Sequence, residues 1–401
     1  MSQSVVGSIT LGYRPLWNRS REIAGVQLFV EAAQGGAIDA VHLVAALQEL
    51  STMATPQLLL SMHNRRLLSD MLAHAPAGDY WIEVRGDWLR EEADIAERTQ
   101  LAHERGLKLV WRGAPQDWPQ APLQHCFSLR LLTLSPQAAA TALVGARGRD
   151  SGPAPLLEPG QIYEGVDSAE LAGLCLDRAG ALAVAGWPAA DVLRSHRQRP
   201  VGPDAETVRR AARAVAADQS MERIEAIVCE EPVLAYRFLS FTHAGARDQR
   251  GGIESVRQGL AMLGYGALGR WLDAQLNQAD DDQDLRPVRA TMVLRARLTE
   301  SLLDAGDENS LRREVYLCGL FAELDQLLDE RQEQLLARLP LSDRLLAATV
   351  QNTGPYAPAL QVARALEGED TRNVRTVSRV HGMEIGEVNR QLLRTLVAAR
   401  Q

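Results

Sequence analysis

The stretch REVYLCGLFAELDQLLDERQEQLLARLPLSDRLL, Arg313–Leu346, decides how the second half of this chain folds. Its first part carries apolar residues at steps of three and four, the spacing of one helix face. These residues are Val315, Leu317, Leu320, Phe321, Leu324, Leu327 and Leu328. Pro340 ends a second helical run, and Ser342 with Asp343 follow where a new helix would be capped. The stretch therefore predicts amphipathic helices that meet at a tight corner and pack on further helices.

Working outward, the pattern from residue 205 to the end is helix after helix, with no convincing strand. The polar, proline-bearing stretch Arg194–Asp204 (RSHRQRPVGPD) is the predicted domain boundary. A second loop is predicted over Val144–Gly160, which is rich in glycine and proline.

Before that boundary, short apolar runs alternate with amphipathic segments, which predicts a parallel sheet with helical crossovers. Eight runs qualify as strands: Ser8–Tyr13, Gly25–Val30, Gln57–Met62, Tyr80–Val84, Leu107–Trp111, Phe127–Leu132, Gln161–Tyr163 and Ala181–Ala185. Eight strands in sequence predict a (β/α)₈-like barrel, shorter than the typical ~250 residues and therefore degraded or incomplete. The expected fold class is α/β plus all-α.

Composition limits the function classes. A chain of 401 residues is long enough for two domains, and its net charge of −8 argues against general nucleic-acid binding. No apolar run approaches the ~20 residues of a membrane helix, and the N-terminus lacks a signal pattern. A cytoplasmic protein with no membrane partner is expected. The four cysteines form no CxxC pair, which predicts reduced thiols.

The helical half also carries a family resemblance. Three segments support it: IEAIVCEEPVLAYRFLSFTHAGA from Ile224, GGIESVRQGLAMLGYGALGRWL from Gly251, and CGLFAELDQLL from Cys318 with the run LLARLPLSDRLLAATVQNTGPYAPALQVARALEGED after it. They resemble an HDOD domain, the all-helical module related to HD phosphohydrolases. Because an N-terminal segment of this size precedes these helices, the whole chain resembles bacterial two-domain signalling proteins that fuse an EAL-like barrel to an HDOD domain. The resemblance implies a degenerate EAL-like barrel over residues 1–195 and an HDOD helical domain over residues 205–401.

An EAL-type phosphodiesterase holds two divalent metal ions with carboxylates at the strand ends. At the positions that resemble its motifs, four ligand-bearing residues are replaced. Gln27 stands in place of the name-giving glutamate, and Leu59 in place of a metal-binding asparagine. Val110 and Trp111 stand in place of the paired aspartates, and neither can bind a metal ion.

Four further positions complete the comparison with the EAL motifs. Glu83 and Glu164 keep carboxylates of the family, Arg130 takes the place of a lysine, and Ala185 stands where a glutamine belongs. Ordinary strand-end carboxylates bonded to arginine or backbone N–H groups are the alternative interpretation of Glu83 and Glu164. The expectation is no catalytic residue, no metal and no cofactor, and hence no enzyme.

The helical half lacks the ligands of a working HD site. The chain contains no His-Asp dipeptide, and His243 is followed by Ala244. Gly264–Gly269 spells GxGxxG, but a helical pattern precedes it, so a glycine-allowed break between helices is the favoured interpretation over a dinucleotide site. The basic run Thr371–Arg400 fits a helix-turn-helix, although a terminal helix pair packed on its own domain is favoured over DNA reading.

With both sites degenerate, the predicted function is a catalytically inactive signalling scaffold, of the motility or biofilm type that the resemblance implies, acting through protein partners. Partner binding is predicted to use six residues of the helical half: Glu231, Arg237, Phe241, His243, Tyr316 and Phe321. Cyclic di-GMP is expected to be an unlikely ligand. The first alternative is a cyclic di-GMP sensor or residual phosphodiesterase, and the second is DNA binding by the C-terminal helices.

Overall fold

The computed structural model describes residues 5–32, 40–50, 56–147, 157–197, 199–245, 255–303 and 309–398. It divides into two compact units. The barrel unit comprises residues 1–191 with 365–401, and the helical unit comprises residues 192–364. Most of the predicted loop over 144–160 lies outside the described residues.

Eight strands form a closed barrel in sequence order. They are β1 Ile9–Trp17, β2 Ile23–Ala32, β3 Gln57–Met62, β4 Tyr80–Arg85, β5 Lys108–Gly113, β6 Phe127–Thr133, β7 Ile162–Glu164 and β8 Ala183–Ala185. Strands β2 to β8 run parallel to one another, whereas β1 is antiparallel to both β2 and β8. The prediction of a barrel followed by helices is confirmed.

Two details of the predicted barrel are wrong. The barrel is closed rather than incomplete. Its first strand is antiparallel because only residues 18–22 separate β1 from β2, and a parallel crossover needs a dozen or more residues. The Asn18 side chain accepts the N–H of Glu22 and tightens this hairpin.

The helices of the described chain follow the strands in the first half and then continue without strands. Those up to residue 195 are α1 Ala40–Leu50, α2 Arg65–His74, α3 Gly86–Glu91, α4 Ala93–Glu104, α5 Pro136–Arg147, α6 Ala169–Gly173 and α7 Ala189–Ser195. Those after it are α8 Ala205–Ala216, α9 Met221–Cys229, α10 Pro232–Gly245, α11 Val256–Leu276, α12 Leu285–Leu302, α13 Asn309–Phe321, α14 Leu324–Leu328, α15 Gln332–Leu336, α16 Asp343–Gln351, α17 Ala357–Leu366, α18 Thr371–Val380 and α19 Ile385–Ala398. None of these helices has the length and apolar character that crossing a bilayer requires.

The predicted break at the GxGxxG segment is confirmed. Gly264 has φ 70 and ψ 162 inside α11, a conformation that suits glycine and interrupts the helix. Helix precedes the first glycine, so the strand that a dinucleotide fold requires is replaced by helix at this position.

The interior of the barrel is filled in layers. An apolar layer closes one level of the barrel and consists of Leu16, Leu59, Val110, Leu129, Leu131, Ile162, Ala183 and Ala185. Because side chains alternate along a strand, the residues two positions further along face the same interior. This alternation places a polar layer above the apolar one, towards the carboxyl ends of the parallel strands.

The C-terminal helices belong to the barrel unit, which differs from the predicted helical domain over 205–401. Strand β8 is short and pairs with β1 at only Leu16 and Trp17, so the first half of β1 needs other partners. Asn389 of α19 supplies them by donating to the carbonyl of Ile9 and accepting the N–H of Leu11, at 2.9 and 3.1 Å. Backbone groups at the unpaired edge of β1 need hydrogen-bond partners, and α19 provides them, so this helix belongs to the barrel unit.

This contact gives a stability prediction. Replacing Asn389, which is fully buried, by leucine leaves the carbonyl of Ile9 and the N–H of Leu11 without partners. We expect the free energy of unfolding to fall by about 2 kcal/mol, the cost of unsatisfied buried backbone groups. Denaturant unfolding of Asn389→Leu measures it, with the exposed Glu97→Gln as control. An unchanged midpoint would contradict the role assigned to Asn389.

Candidate ligand site at the barrel mouth

Glu83 lies near the end of β4 and is buried, with a side chain that is 2% exposed. Its Oε2 accepts hydrogen bonds from Gln27 Nε2, at 3.0 Å, and from the hydroxyl of Ser61. Its Oε1 lies 3.2 Å from Nη1 of Arg112. These partners lie on the parallel strands β2, β3 and β5, so the sheet itself assembles this group.

Glu164 ends β7 and holds the second carboxylate of the mouth. Arg112 donates two hydrogen bonds to it, from Nε to Oε1 at 2.7 Å and from Nη2 to Oε2 at 2.9 Å. The hydroxyl of Thr133 also donates to Oε1, and Arg14 Nη1 lies 3.5 Å from Oε2. A paired arrangement of this kind is the strongest geometry for a guanidinium and a carboxylate.

Arg112 therefore lies between the two carboxylates that the sequence comparison singled out. Burial alone would lower the pKa of its guanidinium, but Glu83 and Glu164 outweigh that effect and hold the pKa above its ordinary value. Sequence reasoning missed this residue. The available signal was strand alternation, since Arg112 follows the buried Val110 by two positions and so faces the same interior.

A second arginine and a third carboxylate complete the mouth. Arg14 of β1 lies with its guanidinium 5.1 Å from the ring centre of Phe29. Its Nη2 lies 3.2 Å from Oε2 of Glu369, which precedes α18. The same carboxylate oxygen lies 3.8 Å from Nη2 of Arg112. Both arginines remain partly exposed, at 23% and 20% of their side chains.

The side chains at the mouth do not fit a pair of divalent metal ions. Glu83 and Glu164 are both committed to Arg112, whose charge takes the position between them. Gln27 offers one buried oxygen without a hydrogen-bond partner among the described residues, but this oxygen is neutral. Across the described ranges, no group of three or more His, Cys, Asp or Glu side chains is placed to hold a metal ion.

The remaining positions that the sequence comparison singled out lie away from this cluster. Leu59, Val110 and Ala185 belong to the apolar layer. Trp111 is buried and packs edge-on against Trp118, with ring centres 5.2 Å apart. These side chains contribute packing rather than polar groups.

Arg130, which the sequence comparison aligned with a lysine, also pairs away from this cluster. Its Nη1 lies 3.0 Å from Oε1 of Glu158, and its guanidinium lies 4.8 Å from the ring centre of Trp118. The bond to Glu158 ties β6 to the segment before β7, so Arg130 pairs with a different carboxylate from Arg112.

Three of the predicted partner-binding residues of the helical unit are held inside it. Glu231 is 1% exposed and Phe321 is fully buried. Glu231 pairs with Arg289 of α12, with Nε 3.2 Å from Oε1. The Tyr316 hydroxyl donates to the carbonyl of Cys229 at 2.9 Å. These residues stabilise helix packing, and the buried Glu231 and Phe321 present no surface to a partner.

The other three are nearer the surface. Phe241 is 45% exposed and stacks at a tilt on Trp271, with ring centres 5.9 Å apart. Arg237 donates to Gln275 and to the carbonyl of Val201. Nδ1 of His243 is buried without a hydrogen-bond partner in the described part of the chain. Partner binding by these residues stays a prediction.

Comparison with known proteins finds two curated relatives, one of which is named a cyclic di-GMP phosphodiesterase. No family model matches it. It is 25% identical over 198 residues to the cyclic di-GMP phosphodiesterase CdgJ of Vibrio cholerae, a match covering 49% of this chain and 46% of that relative. The uncharacterized protein YuxH of Bacillus subtilis is 23% identical over 155 residues, covering 38% of this chain and 37% of that protein. The chain thus matches less than half the length of either curated relative.

Among solved structures, the MmoQ response regulator of Methylococcus capsulatus aligns with a TM-score of 0.39 and 17% identity, covering 49% of this chain and 99% of that one. BlrP1 of Klebsiella pneumoniae, solved as a calcium and cyclic di-GMP complex, aligns with a TM-score of 0.30 and 14% identity, covering 47% of this chain and 57% of that one.

Two sequence predictions are corrected by the match to CdgJ. The prediction that the chain is not an enzyme is wrong, since this relative is named a phosphodiesterase. The prediction that cyclic di-GMP is an unlikely partner is wrong, since the same relative acts on it by name. That prediction considered only the lost metal ligands, whereas the mouth also carries two guanidinium groups that can bind phosphate.

Proposed function

We propose that this chain is a cyclic di-GMP signalling protein whose barrel binds the dinucleotide at its mouth. The observation that carries the proposal is the pair of partly exposed guanidinium groups, Arg14 and Arg112, at the carboxyl edge of a closed barrel. Ligands of such barrels bind at this edge. The match to a cyclic di-GMP phosphodiesterase supports cyclic di-GMP as the ligand.

The chemistry of the ligand matches these groups. Cyclic di-GMP carries two phosphodiester anions, and arginine binds phosphate oxygens through paired N–H donors. Arg112 is fixed by three hydrogen bonds to Glu83 and Glu164, so the two Nη N–H groups that these bonds leave over are already oriented before a ligand arrives. Because Arg112 supplies positive charge between those carboxylates, binding should not require added divalent cations.

We further propose that the two units correspond to an EAL-like barrel and an HDOD-like helical domain, and that the helical domain passes the signal to a protein partner. Support for the second part comes from Phe241, a large apolar side chain that is 45% exposed on the helical unit. An alanine at this position is expected to weaken partner capture while leaving cyclic di-GMP binding unchanged.

Titration calorimetry of the full chain with cyclic di-GMP tests the binding proposal. We expect a Kd on the order of 10 μM, about −7 kcal/mol, equal within error in EDTA and in Mg²⁺ or Mn²⁺. Arg14→Met should weaken binding at least about tenfold, since a charge-assisted contact to phosphate is lost. Arg66→Met, an exposed arginine on α2, is the matched control and should bind as the wild type does.

Chromatography of the same samples shows whether linear dinucleotide accumulates, which separates a binding protein from a phosphodiesterase. Absence of a binding signal up to about 1 mM ligand, some −4 kcal/mol, would reject the proposal.

A further inference from the structure

The connection between α17 and α18 crosses the barrel mouth. This segment, residues 367–370 and called the strap here, lies along β1. Glu367 forms an isolated bridge with Tyr13, and the N–H of Gly368 donates to the Tyr13 carbonyl at 2.7 Å. A Cβ added to Gly12 would lie 2.4 Å from the carbonyl oxygen of Gly368. The close approach of the strap to β1 therefore depends on a glycine at position 12.

The strap carries its own anion to the arginines of the mouth. Oε2 of Glu369 lies 3.2 Å from Arg14 Nη2 and 3.8 Å from Arg112 Nη2. Both guanidinium groups that would meet a ligand phosphate thus already face a carboxylate of the same chain. A phosphodiester oxygen and a carboxylate oxygen compete for the same donors.

The three carboxylates at the mouth are held unequally. The side chains of Glu83 and Glu164 are 2% and 5% exposed and are bonded to several groups. The Glu369 side chain is 56% exposed, and its ion pairs at the mouth, within the described part of the chain, are with the two arginines. Exposed ion pairs are weak because water screens them. Glu369 is therefore the carboxylate that an incoming anion can replace.

We infer that Glu369 holds the place of a ligand phosphate at Arg14 and Arg112, and that binding of an anionic ligand displaces the strap. This inference rests on the proposed function, because it takes the phosphates of the dinucleotide as the displacing anions. Displacement would break the bond between Gly368 and Tyr13 and leave the strap free of β1. The strap then acts as an internal competitor that sets the affinity of the mouth.

Glu369→Gln tests this inference, since it removes the charge and keeps the size of the side chain. We expect it to bind cyclic di-GMP about five-fold more tightly than the wild type, the effect of removing one exposed competing ion pair. Glu97→Gln removes an equivalent exposed charge from α4 and should leave the affinity unchanged. Inorganic pyrophosphate serves as a second anionic probe in parallel titrations.

Hydrogen exchange separates displacement from simple charge repulsion. In the wild type, saturating cyclic di-GMP should speed exchange of the Gly368 amide, because its bond to Tyr13 is lost. In Glu369→Gln this amide should exchange faster even without ligand. A general charge effect would tighten binding without changing exchange in the strap.

The outcomes distinguish this inference from the proposed function. If wild type and Glu369→Gln bind cyclic di-GMP equally, or if ligand leaves Gly368 exchange unchanged, the strap inference is overturned and the binding proposal stands. If neither binds cyclic di-GMP but Glu369→Gln binds pyrophosphate more tightly than wild type does, the binding proposal fails while the competing role of Glu369 is supported. If neither binds either anion, both are rejected.

Discussion

Arg112→Met is expected to lower the free energy of unfolding by about 3 kcal/mol, the cost of breaking a buried ion pair on one side. The variant leaves Glu83 and Glu164 buried without the cation that lies between them. Methionine retains the apolar stem, so the loss reports the guanidinium group rather than packing. Denaturant unfolding followed by circular dichroism measures the change.

Two controls test whether the loss of stability comes from the Arg112 guanidinium. Arg66→Met removes an exposed guanidinium from the same unit and should change stability by less than about 0.5 kcal/mol. Added Mn²⁺ should restore part of the stability of Arg112→Met and leave the wild type unaffected, because only the variant presents the two carboxylates without a cation between them. Wild-type stability in Arg112→Met would show that the carboxylates do not depend on Arg112.

Arg289→Met in the helical unit is expected to cost about 4 kcal/mol of stability. Arg289 is 3% exposed, lies 3.2 Å from Glu231 and donates to the carbonyl of Gly202 at 2.8 Å. Removing it leaves a buried carboxylate and a backbone acceptor without their partner. Arg223→Met, an exposed arginine on α9, is the matched control and should be neutral.

The pH dependence identifies the cause of that loss. Burial raises the pKa of Glu231, and Arg289 opposes the increase. Without Arg289 the folded-state pKa rises further above the unfolded value. A carboxyl whose folded-state pKa is raised contributes to stability at low pH, where it is protonated. That contribution is lost as the pH rises through the folded-state pKa.

The loss of unfolding free energy in Arg289→Met should therefore be smaller at about pH 5 than at about pH 8. Both values lie above the ordinary glutamate pKa of ~4.3, so the unfolded state keeps Glu231 ionised at each of them. The double variant Arg289→Met with Glu231→Met should recover most of the stability, because an apolar pair replaces the ion pair. A deficit that is independent of pH and persists in the double variant would place the cause in packing instead.

Much of the fold could be predicted because it is written in local periodicity. The alternating apolar runs located all eight strands within a few residues, and Gly264 marked the break in α11. The antiparallel direction of β1 was also available from the short link between β1 and β2. Glu83 and Glu164 were identified from the motif positions, and both lie at the mouth.

The rest of the site could not be predicted, since it depends on contacts distant in sequence. Arg112 follows the motif positions directly, yet only barrel closure brings it between carboxylates 29 and 52 residues away. Glu369 reaches Arg14 across 355 residues. No periodicity or spacing encodes such a meeting.

The sequence by itself determined the order and type of the elements, because hydrophobic spacing, turn residues and helix caps act within a few residues. It also determined that four of the positions compared with the EAL motifs carry no carboxylate. Only the tertiary structure decided that an arginine occupies the space between the remaining carboxylates and that the C-terminal strap supplies a third. Charge pairing across a barrel depends on which strand ends become neighbours, and closure of the sheet, rather than any local segment, fixes that.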